Sequence, residues 1–137
     1  MTAKPIPVPD EITAGFWDAA RGRRLVIQRC ADCAGYQHPP FPVCQACGSE
    51  SLAYAPVSGR GTVRSFTISR DNPVPGFDGG TMILVDVELV ERPGLRMQTN
   101  VLDAAPGDLR IGAPVEVAWE ELDEGAVLPQ FRMVPGE

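Results

Sequence analysis

Four cysteines carry the strongest chemical signal in this sequence. Cys30 and Cys33 form one Cys-x2-Cys pair, and after ten residues Cys44 and Cys47 form another. Two such knuckles bring four thiolates into a tetrahedron around one ion and close the short loop between them. Gly48 directly follows the second pair, where a small residue lets backbone N–H groups turn toward sulfur. The first pair is followed by Ala34 and then Gly35, a looser fit. Disulfides are the competing reading, but residues 1–10 hold no apolar core of a secretion signal. Four scattered free thiols would not fall into two evenly spaced pairs. Zinc is favoured because it needs no redox partner and is usual in such ribbons; iron in a rubredoxin-like site would use the same thiolates. With Cys30, Cys33, Cys44 and Cys47 filling every position, the ion holds structure and offers no open site for reaction.

The other candidates for chemistry are weaker. His38 is the only histidine and lies in the proline-rich stretch between the knuckles, which places it on a solvent-facing turn or as a lid on the metal site rather than as a catalytic base. After Ser58 the chain has no cysteine and no histidine, so nucleophile–base pairs of the usual kinds cannot assemble there. Glu120, Glu121, Asp123 and Glu124 cluster near a turn and read as a solvated loop. Gly59-Arg60-Gly61 is too short for a phosphate loop and precedes a strand, so it reads as a turn. On its own the chain does not look like an enzyme.

The elements that must position these residues are short. Prolines 5, 7 and 9 keep residues 1–10 extended. Residues 13–21, with Phe16, Trp17, Ala19 and Ala20, suit a short helix with Thr13 as N-cap and Gly22 as stop. Leu25-Val26-Ile27 reads as a strand leading into the first knuckle. Beyond residue 58 the pattern is all-β: strands are expected over 61–69, 82–91, 95–101, 115–119 and 127–133, with a long loop over 71–80. The clearest is the second, with Ile83, Val85, Val87 and Leu89 on one face and Asp86 and Glu88 on the other. Five short strands without a long helix point to a small, nearly closed barrel. The expected organisation is a leader and helix over 1–24, a ribbon over 25–57 and a barrel over 58–137.

Length and composition agree with one small module set: 137 residues, 44% hydrophobic and 22% charged, with 14 Gly and 14 Pro marking many turns. No apolar run approaches the ~20 residues of a membrane span, so a cytoplasmic protein with no membrane association is expected. The net charge is −6, and up to Ser58 five basic residues balance five acidic ones. From Gly59 onward seven arginines face thirteen acids, so the barrel half carries the whole −6. A single-strand nucleic-acid binder needs a basic groove with aromatic platforms, and this half has neither. No nucleic-acid partner is expected.

The order of parts is more specific than any one of them. Phe16-Trp17-Asp18-Ala19-Ala20-Arg21, then Leu25-Val26-Ile27-Gln28-Arg29-Cys30, the paired cysteines with His38-Pro39-Pro40, the run from Gly59 to Thr67, and Leu128-Pro129-Gln130-Phe131 together resemble one family closely. It is the bacterial and archaeal family of zinc-ribbon plus OB-fold proteins associated with acyl-CoA enzymes, long catalogued as a domain of unknown function. The resemblance runs from about residue 13 to 134. It implies a mainly β protein: a short N-terminal helix, a rubredoxin-like zinc ribbon and a five-stranded OB-fold barrel. It also implies structural zinc on the four cysteines, and a hetero-oligomer with a thiolase-like enzyme (thiolase, acyltransferase or steroid side-chain aldolase) or with a hotdog-fold enoyl-CoA hydratase. Catalytic residues belong to the partner, and the accessory chain helps frame the channel for a CoA thioester.

Candidate partner contacts follow from the residues themselves. Phe16 and Trp17 are adjacent, so a helix cannot turn both fully toward one small core, and one is left to cover the ribbon's flank or to anchor a partner. Phe77, central in the 73–80 loop, is a second candidate contact. The rival functions are a stand-alone acyl-CoA binder or enzyme, which would bind CoA in isolation, and a nucleic-acid-binding OB-fold, whose affinity would fall steeply with salt.

Overall fold

The computed structural model describes residues 4–70 and 81–135; Phe77 and the loop expected over 71–80 lie outside the described residues. Among the described residues one helix, α1 (Ala14–Arg21), precedes eight strands. These are β1 (Val26–Cys30), β2 (Tyr36–Gln37), β3 (Leu52–Pro56), β4 (Arg60–Ser69), β5 (Met82–Leu89), β6 (Arg96–Asn100), β7 (Pro114–Glu121) and β8 (Val127–Met133). The protein is mainly β, as the sequence pattern predicts. Strands β2-β1-β3 form a three-stranded antiparallel sheet that carries the cysteines, and β6-β5-β4-β7-β8 form the five-stranded antiparallel sheet. A parallel bridge between Val101 and Phe131 brings the two outer strands of the larger sheet together, so it curls into a nearly closed barrel.

Period-two burial builds that barrel. On β5, Ile83, Val85, Val87 and Leu89 are buried, while Asp86 and Glu88 face out and pair with Arg96 and Arg64. A register shift between Val63 and Ser65 marks a bulge at Arg64, where β4 bends around the sheet. The core is continuous from helix to barrel: Phe16, Leu25 and Ile27 pack in one cluster with Val87, Leu89, Val115 and Phe131. Gly61 lies inside β4 rather than in a turn, and a Cβ there would sit 2.5 Å from the Glu88 carbonyl oxygen. The turn belongs to Gly59, at φ +82°.

The helix termini differ from expectation in an informative way. Thr13 precedes α1, but its hydroxyl makes no cap; it accepts the Asp10 N–H. The Asp10 carboxylate instead accepts the N–H groups of Ile12 and Thr13 at 2.9 and 2.8 Å, which holds its pKa below the usual carboxylate value. At the other end Gly22 has φ −89°, and the left-handed residue is Arg23 at φ +56°. Arg23 pairs with Glu121 on β7, an exposed tertiary tie.

Candidate metal centre and an adjoining groove

The two knuckles fold alike. The N–H of Ala34 returns to the Cys30 carbonyl at 2.9 Å, and the N–H of Gly48 returns to the Cys44 carbonyl at 2.8 Å. A second bond closes each turn, from Cys30 N–H to Gly35 and from Cys44 N–H to Ser49. Ala34 stands at φ +63° and Gly48 at φ +79°, so the first knuckle is the same turn as the second, with an alanine in the left-handed position. Gly35 is closely approached by two side chains. A Cβ there would lie 2.8 Å from an Arg92 guanidinium nitrogen and 3.3 Å from Cys33 Sγ.

These turns bring all four sulfurs within 4.8 Å of one another. Cys30 and Cys47 Sγ are 3.6 Å apart, and Cys33 and Cys44 Sγ are 3.7 Å apart. A tetrahedron with metal–sulfur bonds of about 2.3 Å has edges of about 3.8 Å, so the donor set fits a zinc-sized ion. Cys30 and Cys44 are buried while Cys33 and Cys47 reach the surface. Backbone N–H groups, the Cys33 amide foremost, hold the Cys30 thiol down to about 6 against the opposing effect of burial. For Cys47 the Ser49 amide pulls downward, but the Cys30 sulfur, burial and the other two sulfurs prevail and push it up to about 12. Crowded thiolates repel, and a divalent cation is the group that relieves this.

His38 is not on a solvent-facing turn. It is half-buried where the ribbon meets the barrel, 5.5 Å from the Phe16 ring, and burial lowers its pKa. Neither ring nitrogen has a hydrogen-bond partner among the described residues. Phe16 is buried in the core, and Trp17, half-buried, packs edge-on against it at 5.0 Å. The side chains at 16 and 17 thus divide as a helix demands, one inward and one toward the surface.

Trp17, Pro39 and Pro40 form one wall of a cleft of about 530 Å³, with Met97, Leu128 and Pro129 opposite. No charged side chain lines it, if His38 is counted neutral. A second hollow of about 420 Å³ continues toward the knuckles and is cationic, with Arg92 and Arg96 on its rim. The two share His38 and follow successive residues at β6, Leu95 and Arg96 at its start in one and Met97 to Asn100 in the other, which makes one groove along that strand.

A polar network floors the apolar end. Buried Gln130 accepts hydrogen bonds from the Thr99 hydroxyl at 2.9 Å and the Asn100 N–H at 3.1 Å, and donates to Glu120 at 3.0 Å. Lys4 completes it with two bonds to the same Glu120 carboxylate. Glu120 is therefore a half-buried strand residue rather than part of a solvated loop, while Asp123 and Glu124 do sit in an exposed turn. Parity places Glu120 on the face of β7 that also carries Glu116 and Ala118, so its half-burial comes from Lys4 and Gln130, distant residues that no local pattern signals.

Ribbon and barrel together define a two-part architecture found in known proteins. Residues 17–53 match the family model described as ChsH2, rubredoxin-like zinc ribbon domain, and residues 54–120 match ChsH2, C-terminal OB-fold domain. The chain is similar to a probable enoyl-CoA hydratase alpha subunit of Thermomonospora curvata, 40% identical over 98% of this chain and 41% of that protein. It is also similar to a DUF35 domain-containing scaffold protein of Pyrococcus furiosus, 30% identical over 88% of this chain and 90% of that one. Among solved structures it matches a chain of the Ltp2-ChsH2(DUF35) aldolase with a TM-score of 0.83 and 39% identity, covering 93% of this chain and 98% of that one. The chain belongs to the DUF35 family. It spans about two fifths of the length of the hydratase alpha subunits that it matches. Among the described residues no helix is long and apolar enough to cross a membrane.

Proposed function

We propose that this chain is a non-catalytic accessory subunit of an acyl-CoA-processing complex, holding one structural zinc ion on Cys30, Cys33, Cys44 and Cys47. The observation that carries this reading is its likeness, over nearly the full length of both, to the DUF35 chain of an aldolase complex. The chemistry of the residues supports it. The four thiols are grouped as ligands, and no nucleophile or carboxylate hydrogen-bonds to His38 among the described residues. The thiolase-like or aldolase partner would hold the catalytic groups. This chain would stabilise or activate it and help frame the thioester channel, with Trp17 and Phe77 as candidate contacts, Phe16 being buried in the core.

A second reading is favoured by the hydratase relatives, in which a region like this one makes up about two fifths of an alpha subunit. There the partner would be a hydratase rather than a thiolase-like subunit. One experiment decides between them: affinity capture of the tagged chain from its native lysate, with mass spectrometry of the co-purifying protein. A stoichiometric thiolase-like protein supports the first reading and a hydratase subunit the second. If the chain emerges alone even after crosslinking, the accessory role fails.

A further inference from the structure

Hydrogen-bond parity shows which way each residue of β6 faces. Leu89 donates its N–H to the carbonyl of Leu95, its register partner at the start of the β5–β6 pairing, at 2.8 Å. In an antiparallel ladder such bonded pairs recur at every second residue, so Met97 and Thr99 direct both backbone groups toward β5. Arg96, Gln98 and Asn100 direct theirs away from it. The Asn100 N–H confirms the assignment, because it is taken by the Gln130 side chain at 3.1 Å. No such partner exists for the backbone of Arg96 or Gln98 among the described residues, and both residues are exposed. Across the seam stands Pro129 of β8, which has no N–H to offer, so β8 cannot close a ladder there.

This unpaired edge does not face open solvent alone. It runs along the groove, between the wall of Trp17, Pro39 and Pro40 and the cationic rim of Arg92 and Arg96. Arg96 is paired with Asp86, whereas Arg92 reaches only the Tyr36 carbonyl at 3.4 Å and has no carboxylate partner among the described residues. The groove is thus apolar and neutral at one end and cationic at the other, with a strand edge between.

We propose that the free edge of β6, at Arg96 and Gln98, receives an extended segment of the partner subunit as an added strand, with apolar side chains in the Trp17–Met97 cleft and an acidic side chain at Arg92. The inference rests on the accessory-subunit reading and names the surface through which it acts. Main-chain bonds to the edge supply affinity, and the alternating side chains supply selectivity. The free stretch from Arg96 to Gln98 offers an edge about 10 Å long, enough to pair a segment of about three residues.

The test uses the full chain with the partner that co-purifies with it. Amide exchange of Arg96 and Gln98 is compared in the free chain and in the complex, and binding is measured for Gln98→Pro and Gln98→Ala. Proline at 98 removes an N–H that the free chain does not use, so melting and metal content should stay at wild-type values. The expected results are slowing of both amides by about tenfold or more in the complex, partner affinity down by about tenfold for Gln98→Pro, and little change for Gln98→Ala. A partner that binds while both amides exchange as in the free chain overturns this proposal and leaves the accessory role standing; absence of any partner overturns both. Protection present in the free chain, or produced by a CoA thioester without the partner, also overturns it, since the occupant would then not be a partner strand.

Discussion

Ala34 and Gly48 hold equivalent places in the two cysteine knuckles. Each follows the second cysteine of its pair, each has positive φ (+63° and +79°), and each returns its N–H to the first cysteine's carbonyl. Only one is glycine. The left-handed region costs an L residue about 1–2 kcal/mol, partly offset because glycine loses more backbone entropy on folding. Ala34→Gly is therefore expected to stabilise the protein by about 0.5 kcal/mol. Ala34→Val, β-branched at the same φ, should destabilise it by more than 1 kcal/mol or so. Chemical denaturation of the metal-loaded chain checks both; an Ala34→Gly protein no more stable than wild type would mean that the turn carries no strain.

Cys44 is a buried sulfur whose thiolate is favoured by the Cys47 and Ala46 amides. Cys44→Ser replaces it with a much harder ligand in an unchanged turn. Metal content should fall from about one ion per chain to near zero, and melting should drop by several degrees because ion binding and ribbon folding are one equilibrium. Elemental analysis and calorimetry on the same sample measure both. Unchanged metal content would show that the four sulfurs do not form the site.

What could be read in advance was what is encoded locally. The cysteine spacing marks the metal ligands, and alternation along residues 82–89 marks β5 and its buried face. Features set by distant chain segments could not be read. The start of α1 is a local exception: Thr13 has the chemistry of an N-cap, but the Asp10 carboxylate accepts the Ile12 and Thr13 amides and closes the preceding turn. Arg23, not Gly22, takes the left-handed position, and its side chain pairs with Glu121 far along the sequence. His38 sits in a proline-rich stretch that suggests solvent exposure, but the ribbon folds it onto Phe16. Strands β2 and β3 leave no clear sequence pattern, because they are short and lack strict alternation of buried and exposed residues.

The network around Gln130 is a concentrated polar dependence inside the barrel seam. Gln130→Ala leaves the Asn100 N–H without an acceptor, while the Thr99 hydroxyl keeps the Pro129 carbonyl at 3.3 Å and Glu120 Oε1 keeps its bond from Lys4. Each buried orphan costs about 1–3 kcal/mol, and water entering the truncated site recovers part of that. A net loss of about 1–2 kcal/mol is expected in urea unfolding, from that one orphan and the three lost bonds together. Lys4→Met should cost about 1 kcal/mol or less, because Glu120 keeps its bond from Gln130 and is not fully buried. The order of the two effects is the check: a Lys4 variant more damaging than the Gln130 variant would contradict the assigned network.

His38 gives the fold a pH dependence whose sign is set by burial. Its ordinary pKa is 6.5, and burial lowers it in the folded chain, where no carboxylate lines the groove on either side to hold an imidazolium. Between the lowered folded value and 6.5 the unfolded chain binds the proton more readily. The stabilising contribution is thus complete above pH 6.5 and is lost as the pH falls through the folded value. Thiolate ligands also take up protons in acid, so the total loss is not His38 alone. The His38→Phe variant separates the two, since it keeps a ring against Phe16 and removes the titration. Its urea midpoint should fall less steeply than wild type between pH 6.5 and 5, with metal content followed at each pH. Parallel curves for the two proteins would show that the imidazole is as easily protonated in the folded chain as in the unfolded one.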